Sequence, residues 1–184
     1  MKRKMLIGLA AAALLVAGCL GTVAKQAYYG ATGASGRYFE VRTPGGSTSL
    51  LKYRSAQVEA FDPSPMLGVI PRGVVTAVRP AIVRELAELE SFRLSAGGRP
   101  AILVRGKFVD YDSGGAPLRA VGFGVDPFLT AQIEIVDADS GQVLGVAMVT
   151  GTVKSAVRVG PDELADGLAK AVKGLLEAHM KRPN

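Results

Sequence analysis

The stretch Phe128-Leu-Thr-Ala-Gln-Ile-Glu-Ile-Val-Asp-Ala-Asp-Ser-Gly141 carries the clearest structural signal in this chain of 184 residues. Its first nine residues alternate between the two faces of a strand. The apolar face holds Leu129, Ala131, Ile133 and Ile135. Residues 137–141 predict a tight turn, because Asp and Ser can bond their own backbone and Gly accepts a positive φ. The run 142–154 then predicts the returning strand of an antiparallel hairpin.

A helix is predicted from Pro161 to about Met180. Proline suits a first turn, and the carboxylates of Asp162 and Glu163 suit the positive end of the helix dipole. Lys173 is expected on the solvent side, opposite the apolar stripe. That stripe comprises Leu164, Leu168, Val172, Leu175 and Leu176.

An earlier helix is predicted to end near Phe92. Its apolar stripe recurs at intervals of three and four residues, at Val75, Val78, Ile82, Leu86 and Leu89. Pro80 lies inside this pattern. It either kinks the helix or opens its main segment, and the sequence leaves both alternatives open.

Two further runs predict core strands, at residues 50–61 and 101–111, and residues 38–42 suggest a short strand before a turn. The main elements follow the order strand, helix, strand, strand, strand, helix. We therefore predict an α+β fold: a mostly antiparallel sheet with two amphipathic helices packed on one face.

The amino terminus predicts export. A basic start is followed by an uncharged run from Leu6 to Val16, which is too short for a permanent membrane span. The sequence Leu15-Val-Ala-Gly-Cys19 resembles a bacterial lipobox, in which the thiol of Cys19 takes the lipid. Cys19 is the one cysteine of the chain, so a disulfide is excluded. Three acyl chains would anchor the protein stably to a membrane.

These features divide the chain into three parts: a lipoprotein signal peptide at 1–18, a lipidated cysteine with a flexible tether at 19–49, and one α+β periplasmic domain at 50–182. Enterobacterial lipoproteins that stay in the inner membrane carry Asp after the cysteine, and here Leu20 follows it. This resemblance favours the inner leaflet of the outer membrane, facing the periplasm.

Catalytic, metal and nucleic-acid signals are weak. No nucleophile elbow, phosphate loop or zinc motif is present, so we predict no enzyme, no cofactor and no metal site. His179, the sole histidine, is expected to pack at a helix end. Asp110, Asp112 and Asp126 are expected to be turn residues rather than a general acid and base. Removal of the basic signal lowers the net charge from +6 to +3, which argues against nucleic acid as a partner.

The Gly-rich stretch 112–126 is the strongest candidate for a docking element, because loops of this length in compact domains are often functional. Arg119 is the preferred polar anchor, since its planar fork can bond carboxylates or carbonyls in pairs. Phe123 is the preferred apolar contact. A mobile hairpin end is the alternative interpretation of this loop.

Three local features resemble a family of small bacterial lipoproteins, the domain of unknown function 4410. They are Ile70-Pro71 before the first helix, Arg119-Ala-Val-Gly-Phe-Gly124 before a strand, and Ile135-Val-Asp-Ala-Asp-Ser-Gly-Gln-Val-Leu144. The order of elements is more distantly similar to the periplasmic domain of the curli secretion lipoprotein and of the TolB amino-terminal region. The resemblance implies an envelope lipoprotein that acts through protein contacts.

We therefore expect a lipid-anchored module of the cell envelope that binds a protein partner or serves as a scaffold in envelope assembly or secretion. The alternative is a carrier or sensor of a small amphipathic ligand, held between the sheet and the helices.

Overall fold

The computed structural model of the chain describes residues 33–42, 50–89, 101–114, 125–154 and 159–180. They form a five-stranded sheet and two helices in the chain order β1 (Ala34–Arg42), β2 (Ser55–Val58), α1 (Arg72–Ala87), β3 (Ala101–Asp112), β4 (Phe128–Asp137), β5 (Val143–Val153) and α2 (Pro161–Met180). The strands lie in the order β1-β5-β4-β3-β2, and only β2 and β3 pair in parallel. The predicted α+β class and mostly antiparallel sheet are confirmed.

The central hairpin of β4 and β5 has the predicted pattern. The four alternating apolar residues of β4 are all buried, and they face the helices. At the turn, the Asp137 carboxylate accepts hydrogen bonds from the backbone N–H groups of Asp139 and Ser140, at 3.0 and 2.9 Å. Gly141 has a φ of 71°, a conformation that favours glycine. The turn therefore forms as local backbone chemistry dictates.

Strand β1 begins earlier than the predicted domain. Residues 34–42 fall within the range 19–49 that was expected to be a flexible tether, but they pair with β5 at the edge of the sheet. The register joins Ala34 to Val153 and Phe39 to Met148. The prediction is thus wrong for this part of the tether, and the short strand expected at 38–42 is longer and begins at Ala34.

Strand β2 is much shorter than the predicted run of 50–61. Its first residues form a short 3-10 helix, Leu50–Lys52, and only Ser55–Val58 pair with β3. The pairing is parallel because α1 carries the chain back to the start of β3. The following segment, 59–62, continues beside β3 through backbone hydrogen bonds from Glu59 to Val104 and from Asp62 to Gly106.

Helix α1 runs through Pro80 without interruption. It begins at Arg72, so the alternative in which Pro80 opens the main helical segment is wrong. Proline has no N–H to donate to the carbonyl four residues earlier in the helix. Pro80 is exposed, so that carbonyl lies close to solvent. The helix ends at Ala87, before the predicted end, and Phe92 lies outside the described residues.

Helix α2 has the predicted bounds, and its apolar stripe is buried. It approaches the sheet so closely that three glycines form the contact. A Cβ atom built on Gly151 would lie 2.6 Å from the Gly167 carbonyl carbon and even closer to the Leu168 nitrogen. A Cβ on Gly36 would meet the backbone of Ala171. This contact places α2 directly on β1 and β5.

Ion pairs join α1 to α2. The Lys173 ammonium lies 2.5 Å from Glu88 and 3.4 Å from Glu85, and Arg84 pairs with Asp166. The hydrogen bond to Glu88 raises the pKa of Lys173, and the same bond lowers the pKa of Glu88. The expectation that Lys173 faces only solvent is therefore wrong: its side chain is half-buried between the helices. Both helices thus lie on the same face of the sheet.

Candidate functional site

The face of the sheet opposite the helices carries a charged groove. The register places Arg105 beside Glu134 and Lys107 beside Gln132, all on the face opposite the buried Ile133. The groove has a volume of about 260 Å³. We call it the β3 groove; its polar side chains are Glu59, Asp62, Arg105, Lys107, Gln132 and Glu134.

The walls of the β3 groove are fixed by backbone hydrogen bonds. Asp62 donates from its backbone N–H to the carbonyl of Gly106 at 2.8 Å, and Phe108 donates to the Asp62 carbonyl at 3.1 Å. Gly106 faces the other way, where Phe61 covers it: a Cβ at Gly106 would lie 2.6 Å from the Phe61 ring. The backbone of segment 59–62 is therefore held along β3, which fixes the positions from which the Glu59 and Asp62 side chains extend.

The charges of the groove are mixed and partly paired. Arg105 reaches one oxygen of Glu134 with both Nε and Nη2, at 2.8 Å each. The Asp62 carboxylate accepts hydrogen bonds from the side chain and the backbone of Ser64, which lower the pKa of Asp62, and the charge of Lys107 acts in the same direction. Such an arrangement presents both donors and acceptors to a polar partner surface.

A second groove lies on the helical side, between α1 and the segment that follows β2. It has a volume of about 510 Å³ and is lined mainly by apolar groups, including Phe61, Val75, Pro80 and Val83. Arg79 also lines this groove, and its Nε donates to the carbonyl of Val58 at 2.9 Å. This bond fastens α1 to the end of β2, which gives Arg79 a structural role.

Tyr53 and Asp137 form a hydrogen-bonded pair near the central hairpin. The Tyr53 side chain is buried, and its hydroxyl donates to Asp137 Oδ2 at 2.5 Å. This bond, with those of the turn backbone, lowers the pKa of Asp137 to about 2. Burial, followed by the bond to Asp137, raises the pKa of Tyr53. The pair stabilises the chain before β2 against the β4–β5 turn.

Acidification is expected to destabilise the protein through Asp137. Its pKa is about 2 in the folded state and near its ordinary value of 3.8 in the unfolded chain. A depressed carboxyl pKa contributes stability that is present above the unfolded value and lost as the pH falls through the folded value. In thermal melts, the Tyr53→Phe variant should therefore be less stable than wild type at pH 7, with a difference that shrinks towards pH 2. A difference independent of pH would contradict this assignment.

Cys19, Arg119 and Phe123 lie outside the described residues, so lipidation and docking through the Gly-rich loop stay predictions. Asp110 and Asp112 lie at the end of β3, and each accepts a hydrogen bond from a nearby backbone N–H, of Tyr111 and of Gly114 respectively. Both residues are nevertheless part of β3, where Asp110 pairs with Thr130 and Asp112 with Phe128, so the expectation that they are turn residues is wrong.

His179 contacts the edge strand. Its Nε2 atom lies 2.9 Å from Oε1 of Glu40, and both side chains are half-buried. The histidine thus packs at the end of α2, as predicted, against a residue of β1. Among the described residues, no cluster of three or more His, Cys, Asp or Glu side chains is placed to hold a metal ion.

The β3 groove has only a weak signal in the sequence. The opposite charges of Arg105 and Glu134 sit on two predicted strands and could have suggested a cross-strand pair. The contribution of Glu59 and Asp62 depends on the path of the chain after β2, and no local pattern indicates it.

No family model matches the chain, and no curated protein matches it. The resemblance to the lipoprotein family with the domain of unknown function 4410 therefore stays a prediction. Among the described helices, none is both long and apolar enough to cross a membrane.

Solved structures with similar chain paths exist, at low sequence identity. Two structures of the PelC dodecamer from Paraburkholderia phytofirmans are each 14% identical, with TM-scores of 0.43 and 0.45. The matches cover 78% and 75% of this chain and 96% and 95% of those chains. A PDZ domain protein from Parabacteroides distasonis is 13% identical, with a TM-score of 0.39, over 79% of this chain and 37% of that one.

Proposed function

We propose that this protein is a lipid-anchored module of the bacterial cell envelope that binds a protein partner through the face of its sheet opposite the helices. Cys19 would carry the lipid, in the periplasm-facing leaflet of the outer membrane, and the domain would act in envelope assembly or secretion. The observation that carries the binding proposal is the β3 groove, a concave and charged surface on the face opposite the helices.

The groove suits a protein partner because its charges are held in place before binding. Arg105 is oriented by Glu134, and the segment 59–62 is fixed to β3 by its backbone. Preorganised charges of both signs favour a complementary surface and oppose like charges, so they select a partner more than they strengthen binding. A groove of this size fits a few side chains of a partner.

The carrier alternative has less support. A ligand held between sheet and helices would need space there, but α2 meets the backbone of β1 and β5 at Gly36, Gly151 and Gly167. The apolar groove beside α1 is open and lined in part by Arg79. No observation among the described residues favours this second function.

The anchoring part of the proposal predicts the behaviour of Cys19→Ala. Loss of the thiol removes the site of lipid attachment, so this variant should leave the membrane fraction or stay unprocessed. Mass spectrometry of the wild type should find a chain that begins at Cys19 and carries acyl groups. Unchanged membrane association and an unchanged mature mass in the variant would contradict lipid anchoring.

The binding part is tested by photocrosslinking in living cells. A photoreactive amino acid at Lys107, in the groove, should capture one envelope protein. The same amino acid at Arg72, exposed at the start of α1 on the other side, should not capture it.

The crosslink from Lys107 should depend on the charge of the groove. Arg105→Glu reverses a charge within the site and should abolish the crosslink, whereas Arg54→Glu reverses an exposed charge outside the groove and should preserve it. Loss of an exposed ion pair costs about 1 kcal/mol or less, so folding should survive. Equal crosslinks in both variants would place the binding site elsewhere.

A further inference from the structure

Strand β1 exposes an apolar and basic surface at the edge of the sheet. Phe39 is 72% exposed and Val41 is 59% exposed. Arg37 is exposed on the same face as Phe39, since their register partners are Thr150 and Met148. We call these three residues, Arg37, Phe39 and Val41, the β1 patch. It lies on the face away from the helices, at the opposite edge from β2.

We propose that the β1 patch rests on the lipid surface to which Cys19 anchors the chain. The inference rests on the proposed lipid anchor. It goes further by stating which side of the domain faces the membrane. Its partner is a bilayer surface with anionic headgroups.

The first argument is the length of chain between the lipid and the sheet. Since β1 begins at Ala34, only residues 20–33 separate it from Cys19. Even fully extended, fourteen residues span no more than about 50 Å. Phe39 lies five residues into the strand, so it is about 17 Å from the point where the connecting chain enters the domain. A connecting chain of this length allows the patch to reach the anchoring surface.

The second argument is the chemistry of the patch. An aromatic and a branched aliphatic side chain can enter the boundary between headgroups and acyl chains, while an arginine beside them can bond lipid phosphates. Lys170 of α2 adds a basic group at the start of this edge strand, on the helical side, where it donates to the carbonyl of Ala34 at 3.1 Å. The acidic side chain of Glu40 is engaged by His179. The local charge is thus suited to anionic lipid.

A second exposed side chain allows the proposal to be distinguished from simple tethering. Leu67 is 73% exposed, as much as Phe39, but it lies in the segment before α1 that packs beside β3. If the lipid anchor only kept the domain near the membrane, both side chains would meet lipid equally. If the β1 patch faces the bilayer, only Phe39 meets it.

The test uses the full-length lipidated protein in vesicles of phosphatidylethanolamine and phosphatidylglycerol. The chain has no tryptophan, so Phe39→Trp and Leu67→Trp each introduce a single fluorophore. With brominated acyl chains, Phe39→Trp should lose about half of its emission, because interfacial side chains lie ~5–10 Å deep, near the bromines. Leu67→Trp should keep its emission. Adding Arg37→Glu to Phe39→Trp should reduce the quenching.

Several outcomes would overturn the inference. Equal quenching of both variants, or none in either, means that the domain has no preferred side. A blue-shifted but unquenched Phe39→Trp means that the patch is covered by protein, a second copy included. Intact mass separates the two proposals: without a lipid on Cys19 the anchor itself fails and this inference with it, whereas a lipidated chain with unquenched Phe39→Trp refutes only the membrane-facing patch.

Discussion

Gly151→Ala is expected to cause a large loss of stability, because the methyl group it adds has no space between β5 and α2. The new Cβ would lie 2.6 Å from the carbonyl carbon of Gly167 and closer still to the Leu168 nitrogen. Both obstacles are backbone atoms of α2, so a side chain cannot simply rotate away. The helix must shift from the sheet, and we expect a cost of about 3 kcal/mol or more in a denaturant melt.

Gly174, on the α2 side of the same helix–sheet contact, provides the control. A Cβ on Gly174 would meet the Tyr38 ring at 3.7 Å, an ordinary van der Waals distance. Alanine is the better helix former by about 1 kcal/mol, so Gly174→Ala should leave stability unchanged or raise it slightly. If both alanine variants melt alike, α2 does not lie as close to β5 as the structure places it.

Leu168→Ala is expected to have the second large effect. Leu168 is fully buried on the stripe of α2 that faces the sheet. Its truncation removes apolar contacts and leaves a cavity, which costs about 2 to 5 kcal/mol depending on how far the surroundings relax. The measurement is the free energy of unfolding by urea, at constant pH and salt.

Leu67→Ala is the control for the same chemical change. Leu67 is 73% exposed in the segment before α1, so its truncation creates no cavity and should change stability by no more than about 0.5 kcal/mol. Similar losses in the two variants would show that the buried face of α2 has been assigned incorrectly.

The proposed surfaces differ in how far the sequence could indicate them. Loop composition indicates Arg119 and Phe123, and their role stays a prediction because both lie outside the described residues. Neither the β3 groove nor the β1 patch was anticipated. Phe39 and Arg105 are ordinary strand residues in the sequence, and their exposure depends on which face of the sheet the helices cover.

The pairing of β1 with β5 is another feature that the local sequence does not indicate. Its residues carry glycine and charged side chains that suggest a connecting segment, yet Ala34 pairs with Val153, far along the chain. Strand pairing is a contact between distant segments, and the hydrogen bonds that stabilise it leave little trace in the composition of either strand. The alternating pattern of β1 is weak because one of its faces contacts α2 through glycine.

By itself, the sequence determined the β4–β5 hairpin, the bounds of α2 and the α+β class. Each depends on local information: alternation with a period of two, the turn chemistry of Asp137 and Gly141, and an apolar stripe at helical spacing. Only the tertiary structure decided that β1 forms the sheet edge, that β2 is short and parallel, and that Gly36, Gly151 and Gly167 meet. Each of these features depends on contact between two segments that are distant in the sequence. The space beside a glycine and the exposure of a strand are set by the segment that packs there, which local sequence does not specify.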